Sequence, residues 1–166
     1  VGSTKIATST TGLNNSWTGA TINAGYNFYG LAFDGTTYVA VGQTGAIYTS
    51  TNRTTWTART SGTTDLLHSV AYESSVGLFV AVGHSAGVII TSPDGVTWTS
   101  RTNPAAGAFR KVVWSSAHSK FFAVGDKVVF SDDGVTWVAS SYPVVSTFYD
   151  IAFMGTTALV TLVNAK

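Results

Sequence analysis

Ser92-Pro93-Asp94-Gly95-Val96-Thr97-Trp98 and Ser131-Asp132-Asp133-Gly134-Val135-Thr136-Trp137 are two copies of one short pattern. Each opens with a serine, turns through Asp-Gly and closes on a tryptophan. Asp-Gly signals a tight hairpin, because glycine takes a positive φ without steric cost and the carboxylate accepts bonds from the turn amides. A tryptophan just past such a turn packs its ring beneath it and gives its N–H to a carbonyl. A third copy, Ser50-Thr51-Asn52-Arg53-Thr54-Thr55-Trp56, has Asn for Asp and no glycine. A fourth runs from Ser9 to Trp17, is longer and lacks the Asp. Trp17, Trp56, Trp98 and Trp137 are spaced by 39, 42 and 39 residues. A period near 40 marks a stacked or circular array of small structural units.

Around these hairpins each unit holds four strand-like runs. The first is Gly30-Leu31-Ala32-Phe33, matched by Ser69–Tyr72, Lys111–Trp114 and Asp150–Phe153. The second is Tyr38-Val39-Ala40-Val41-Gly42, matched by Phe79–Gly83 and Phe121–Gly125, with a weaker copy at Ala158–Leu162. The third is Ala46–Ser50, matched by Val88–Ser92, Val128–Ser131 and Ile6–Ser9. The fourth begins at each tryptophan. The first two runs are apolar almost throughout, as in strands buried on both faces, while the fourth alternates with Thr, Ser and Arg. A four-stranded meander with dry inner strands and a wetter outer strand is a propeller blade.

The fold expected is therefore all-β: a four-bladed β-propeller in a single domain over residues 1–166, each blade a four-stranded antiparallel meander. Blade 1 spans 25–63, blade 2 spans 64–105 and blade 3 spans 106–144. Blade 4 joins 1–24 to 145–166, so N- and C-terminal strands close the ring and remove its exposed edges. The alternative is a half-ring that pairs with a second copy into eight blades.

The tryptophan hairpins resemble the Asp-box, or BNR, repeats of sialidase-like propellers, whose pattern is roughly Ser-x-Asp-x-Gly-x-Thr-Trp. The copies at Ser92–Trp98 and Ser131–Trp137 are one residue shorter. With the Val-Ala-Val-Gly runs, the unit is also similar to repeats of bacterial surface proteins, phage tail proteins and photosystem II assembly factors. The resemblance implies a structural role for Ser92, Asp94, Gly95, Trp98, Ser131, Asp133, Gly134, Trp137, Ser50, Trp56 and Trp17. It implies nothing about catalysis.

Composition narrows the function. Charged residues make up only 10% and the formal net charge is +1, so no electrostatic footprint for nucleic acid is visible. There is no cysteine, which excludes disulfides and thiolate metal sites. No apolar run is long enough to span a membrane, and membrane insertion is not expected. His68, His84 and His118 lack metal-ligand spacing, and neither metal nor cofactor is expected.

The pairs just before the first runs are Phe28-Tyr29, Leu67-His68, Phe109-Arg110 and Phe148-Tyr149. The tips between second and third runs carry Gln43, His84 and Asp126. These positions vary while the frame repeats, which is the mark of a binding face. Tyr29, His68, Arg110 and Tyr149 are expected to ring the channel mouth, with Gln43, His84 and Asp126 beside them. Aromatic faces stack on sugars, and Arg, Asp, Gln and His bond hydroxyls. The segments Ser61–Leu66, Asn103–Ala108 and Ser140–Thr147 are expected to set specificity. A glycosidase needs two placed carboxylates, or a Tyr nucleophile with an Arg cluster in sialidases. Glu73 falls toward the opposite face, and only Arg110 approaches the channel, so no catalytic residues are assigned. The function expected is a lectin-like adhesion module for surface carbohydrate, within a phage, virion or bacterial surface protein and located outside the cell or on the virion. Its partners would be a glycan or a surface protein, inside a larger multimeric assembly. The alternative is a protein-interaction scaffold.

Overall fold

The chain was analysed as a computed structural model, which describes residues 4–9, 16, 18–22, 25–85, 87–141 and 146–162. Three four-stranded antiparallel sheets form its body. The first contains β3 (Phe28–Phe33), β4 (Tyr38–Gly42), β5 (Ile47–Ser50) and β6 (Thr57–Arg59). The second contains β7 (Leu67–Glu73), β8 (Leu78–Gly83), β9 (Ile89–Ser92) and β10 (Thr99–Arg101). The third contains β11 (Phe109–Ser115), β12 (Lys120–Gly125), β13 (Val128–Ser131) and β14 (Val138–Ala139). Each is a simple meander in chain order, as the run pattern predicts. Two further sheets have two strands each: β1 (Thr4–Thr8) with β2 (Thr18–Ile22), and β15 (Phe148–Met154) with β16 (Thr157–Leu162). The first strands start two residues earlier than their apolar pattern suggests, at Phe28, Leu67, Phe109 and Phe148.

The sheets stack face to face through their first strands, β3 on β7, β7 on β11 and β11 on β15. The alternation of side chains across each strand sends one set toward the preceding sheet and the other toward the next. Val39, Val41 and Ile47 of the first sheet thus meet Val70, Phe79 and Ile90 of the second. Val80, Val82 and Ile89 of the second meet Val112, Phe121 and Trp137 of the third. Val124 meets Phe148 and Ile151 in the last joint. Each such side chain, fully buried, contributes about 1.5–3 kcal/mol. At the middle joint a hydrogen bond crosses as well: the Val112 amide donates to Ser69 Oγ at 3.2 Å.

The sheet expected to knit both chain ends together is not formed. β1–β2 and β15–β16 are separate sheets, with no ladder between β16 and β1 among the described residues. Every residue of β16 is exposed. Ala158–Leu162 is the weakest copy of the second run. Its Leu159 and Thr161 occupy the places of Val39 and Val41, yet both are exposed.

The hairpins before β10 and β14 have the expected geometry. Asp94 Oδ1 accepts the Val96 and Thr97 amides, both at 2.8 Å, and the Ser92 hydroxyl at 2.9 Å. Trp98 Nε1 donates to the Gly95 carbonyl at 3.0 Å. Asp133 accepts Val135, Thr136 and Ser131 in the same way, and Trp137 donates to Gly134 at 2.9 Å. Asn52 reproduces the set with an uncharged acceptor for Thr54 and Thr55, and Ser50 bonds it in turn. Trp56 Nε1 reaches the Arg53 carbonyl at 3.3 Å. Arg53 takes the positive φ, +68°, that Gly95 and Gly134 supply at +72° in the other copies. Trp17 lies outside the described residues.

Candidate interaction face

Each first strand carries one residue too many. Phe28 faces Gly42 and Gly30 faces Val41, which leaves Tyr29 between two consecutive partners. The same shift isolates His68 between Leu67 and Ser69, Arg110 between Phe109 and Lys111, and Tyr149 between Phe148 and Asp150. These are β-bulges, and a bulge re-aims its extra side chain out of the pleat. The residue before each bulge is packed: Leu67, Phe109 and Phe148 are buried and Phe28 is half-buried. The four bulge residues are the four expected at the channel mouth.

They form a row along neighbouring sheets. The rings of Tyr29 and His68 stack with centroids 5.5 Å apart and planes 20° from parallel. His68 stacks in turn with His84, centroids 6.1 Å apart. Arg110 lies over the Tyr149 ring, its guanidinium carbon 4.3 Å from the centroid. Arg110 is half-buried, and its Nε is buried without a hydrogen-bond partner. Tyr29 and Tyr149 remain 46% and 43% exposed, enough for contact with a partner. Burial lowers the His68 pKa from the ordinary imidazole value, and the Arg110 charge and His84 lower it further. His68 is therefore held toward its neutral form, leaving Arg110 as the fixed positive charge of the row.

The hairpin tips are pinned beside the bulges by repeated backbone bonds. The amides of Gln43, His84 and Asp126 donate to the carbonyls of Asn27, Leu66 and Ala108 at 3.0, 2.9 and 2.9 Å. Two of the tip side chains add a second clamp. Gln43 Oε1 accepts the Asn27 amide at 3.0 Å. Asp126 Oδ2 accepts the Ala108 amide at 3.1 Å, and its Oδ1 accepts the Thr147 hydroxyl at 2.9 Å. Burial works to raise the Asp126 pKa, but the Thr147 and Ala108 bonds, with Arg110 and His84 nearby, leave it below the ordinary carboxylate range. In the second sheet Asp65 takes over this clamp through the Leu66 and Ser85 amides, at 2.8 and 3.0 Å. His84 is thereby released to stack on His68. Gln43 and Asp126 are brought to the row, but the Gln43 oxygen and both Asp126 oxygens already hold backbone or Thr147 hydrogens.

Asp65 is the participant that sequence reading missed as an anchor; its clamp depends on a residue twenty positions away. The bulges left no signal in the apolar pattern, because strands buried on both faces are apolar at every position.

Open hollows flank the first of these tips. One of about 740 Å³ is lined by Tyr26, Gln43, Thr63, Asp65, Leu66 and Ser85. A second of about 750 Å³ shares Tyr26, Thr44, Thr63 and Thr64 with it. The Ser61–Leu66 connection therefore borders both. Glu73 sits at the far end of β7, where the Ser75 amide and hydroxyl and the Ser74 hydroxyl bond it. His118 is on that far side too, bonded to Ser115 Oγ at 2.8 Å and packed on Phe122 and Phe153. Among the described residues, no group of three or more His, Cys, Asp or Glu is placed to hold a metal ion.

Solved structures resemble this arrangement. One is YCF48 bound to D1 peptide, superposing with a TM-score of 0.61 at 15% identity over 76% of this chain and 43% of that one. Another is YCF48 from Cyanidioschyzon merolae, with a TM-score of 0.59 at 17% identity over 90% of this chain and 54% of that one. The likeness shows the fold. This chain has a β-propeller architecture. It spans about half the length of those two chains. No family model matches the sequence, the Asp-box repeats included, and no curated protein matches it.

Proposed function

We propose that the chain is a non-catalytic interaction module that docks a segment of a partner protein across the row of bulges. One observation carries this reading: the residues that follow the packed Phe28, Leu67, Phe109 and Phe148 are the four that a bulge ejects from the ladder, and they sit on consecutive sheets. A repeated frame that spends a bulge in every first strand to present Tyr, His, Arg and Tyr builds a surface. Such a row, with aromatic and Arg anchors, has the composition of protein interface hot spots. The similar YCF48 structure holds a peptide, which supports a peptide-sized ligand here. Ring closure, with four blades' worth of strands from each chain, belongs to the same proposal, since a closed ring would give the mouth its full perimeter.

The carbohydrate reading draws no support from the comparisons. Its physics is also weaker: His68 already covers one face of Tyr29, and Arg110 one face of Tyr149, which narrows the flat platforms that a sugar needs. Panning a random peptide library against the chain, in parallel with a glycan array, separates the two. The expected result is peptides whose affinity falls at least tenfold on Arg110→Ala, and a blank array. Glycan hits lost on Arg110→Ala, with no peptide selected, would reverse the assignment.

A further inference from the structure

We propose that two copies of the chain close one ring head to tail, the β15–β16 face of each packing on the β3 face of the other. This rests on the exposed sheet faces and not on the ligand assigned to the bulge row.

The internal joints supply the template. In each, the fourth residue of a first strand packs toward the preceding sheet: Val70, Val112 and Ile151 are 7%, 1% and 6% exposed. The equivalent residue of the first sheet is Leu31, which is 54% exposed, with Phe33 beside it at 44%. On the other side of the first two joints, Val39 and Val80 are fully buried under the next sheet. Their equivalent in the last sheet is Leu159, 62% exposed, with Met154 on the same strand pair at 73%. The molecule thus shows one face of a propeller joint at one end and the complementary face at the other. Both carry large apolar side chains that are exposed among the described residues.

Strand edges agree with this choice of occupant. β16 pairs only with β15, and β1 only with β2, among the described residues. By run order β15–β16 are the first and second strands of a blade, and β1–β2 the third and fourth. A β16–β1 ladder between copies would complete a four-stranded sheet like the other three and remove two open edges. A head-to-tail interface closes into a ring when its rotation allows, and two copies then share two identical joints. Closure also sets Tyr149 of one copy beside Tyr29 of the other, so the bulge row continues across the joint. The joint differs from the internal ones at the hairpin. Gly95 and Gly134 lie so close to Val39 and Leu78 of the preceding sheets that an added Cβ would come within 2.8 and 2.7 Å of them. The first sheet has Arg53 there, so the copies meet through Leu31 and Phe33.

Light scattering of the purified chain tests this without any ligand. The expected mass is about twice the 17.3 kDa of one chain. Leu31→Asp and Leu159→Asp should each run as a monomer. Mixed one to one, they should form a two-chain species, because each keeps the face that the other has lost. Near-UV circular dichroism confirms that the variants are folded; Leu31→Gln and Leu159→Gln replace any that is not. A wild-type mass of one chain at all concentrations would overturn the proposal. So would a mass that grows without limit, a dimer unaffected by either substitution, or folded variants that do not complement. None of those outcomes touches the peptide-binding assignment.

Discussion

Val112 and Leu31 hold the same place in two first strands and lie in opposite surroundings. Val112 is sealed between the second and third sheets, and Leu31 faces solvent. The sequence around Leu31 is the more apolar of the two, since Val112 follows Arg110 and Lys111. What decides burial is whether a neighbouring sheet stands in front. The lesson is that the stability of this chain resides in the joints, while each sheet is a unit that cannot bury its own faces.

Charge placed at the two positions sharpens this contrast most. Val112→Asp buries an unpaired carboxylate and should cost about 3–5 kcal/mol in urea unfolding. Leu31→Asp, in the dilute limit where copies are apart, should cost about 0.5 kcal/mol or less. Equal losses would mean that the first sheet is packed on both faces. The hairpin tips come next. Gly134→Ala forces a side chain into a positive φ and against Leu78, a loss of about 1–3 kcal/mol in the same assay. Arg53→Gly, which relieves a non-glycine positive φ, should be neutral or stabilising by at most about 1 kcal/mol. Ser69→Ala removes the acceptor of the buried Val112 amide and should cost about 1–2 kcal/mol. Gly30 occupies the Ser69 place at the preceding joint and supplies no such bond.

The smallest effect is on pH dependence. The Thr97 amide bond, with those of Val96 and Ser92, outweighs burial and holds Asp94 below the ordinary carboxylate range. Asp133 is lowered by the equivalent bonds, Thr136 first. A lowered folded pKa means stability that is present above the unfolded value, roughly 3.9, and is lost as pH falls through the folded one. Asp94→Asn with Asp133→Asn should flatten the thermal midpoint against pH below about 4. Asn52→Ala should lower the midpoint equally at pH 7 and pH 3, because its turn has no carboxyl to protonate.

Turn chemistry made the hairpins legible in the sequence, since Asp-Gly and a following Trp act within seven residues. The buried runs were legible because Val-Ala-Val-Gly has no polar face. Tyr29, His68, Arg110 and Tyr149 stood out as the varying members of Phe-Tyr, Leu-His, Phe-Arg and Phe-Tyr pairs. The clamps did not. Gln43 and Asp126 look like ligand groups until the loop amides they hold are seen, and those amides are sixteen and eighteen residues away. Closure was the least legible feature. An apolar strand reads the same whether its cover is its own chain, another copy or nothing.

The most direct test of the bulge row is a titration of His68 by NMR in wild type and Arg110→Ala. If Tyr29, His68, His84 and Arg110 are contiguous, His68 titrates below a free imidazole and moves upward when the guanidinium is removed. A His68 that titrates like a free imidazole, and ignores residue 110, would contradict it.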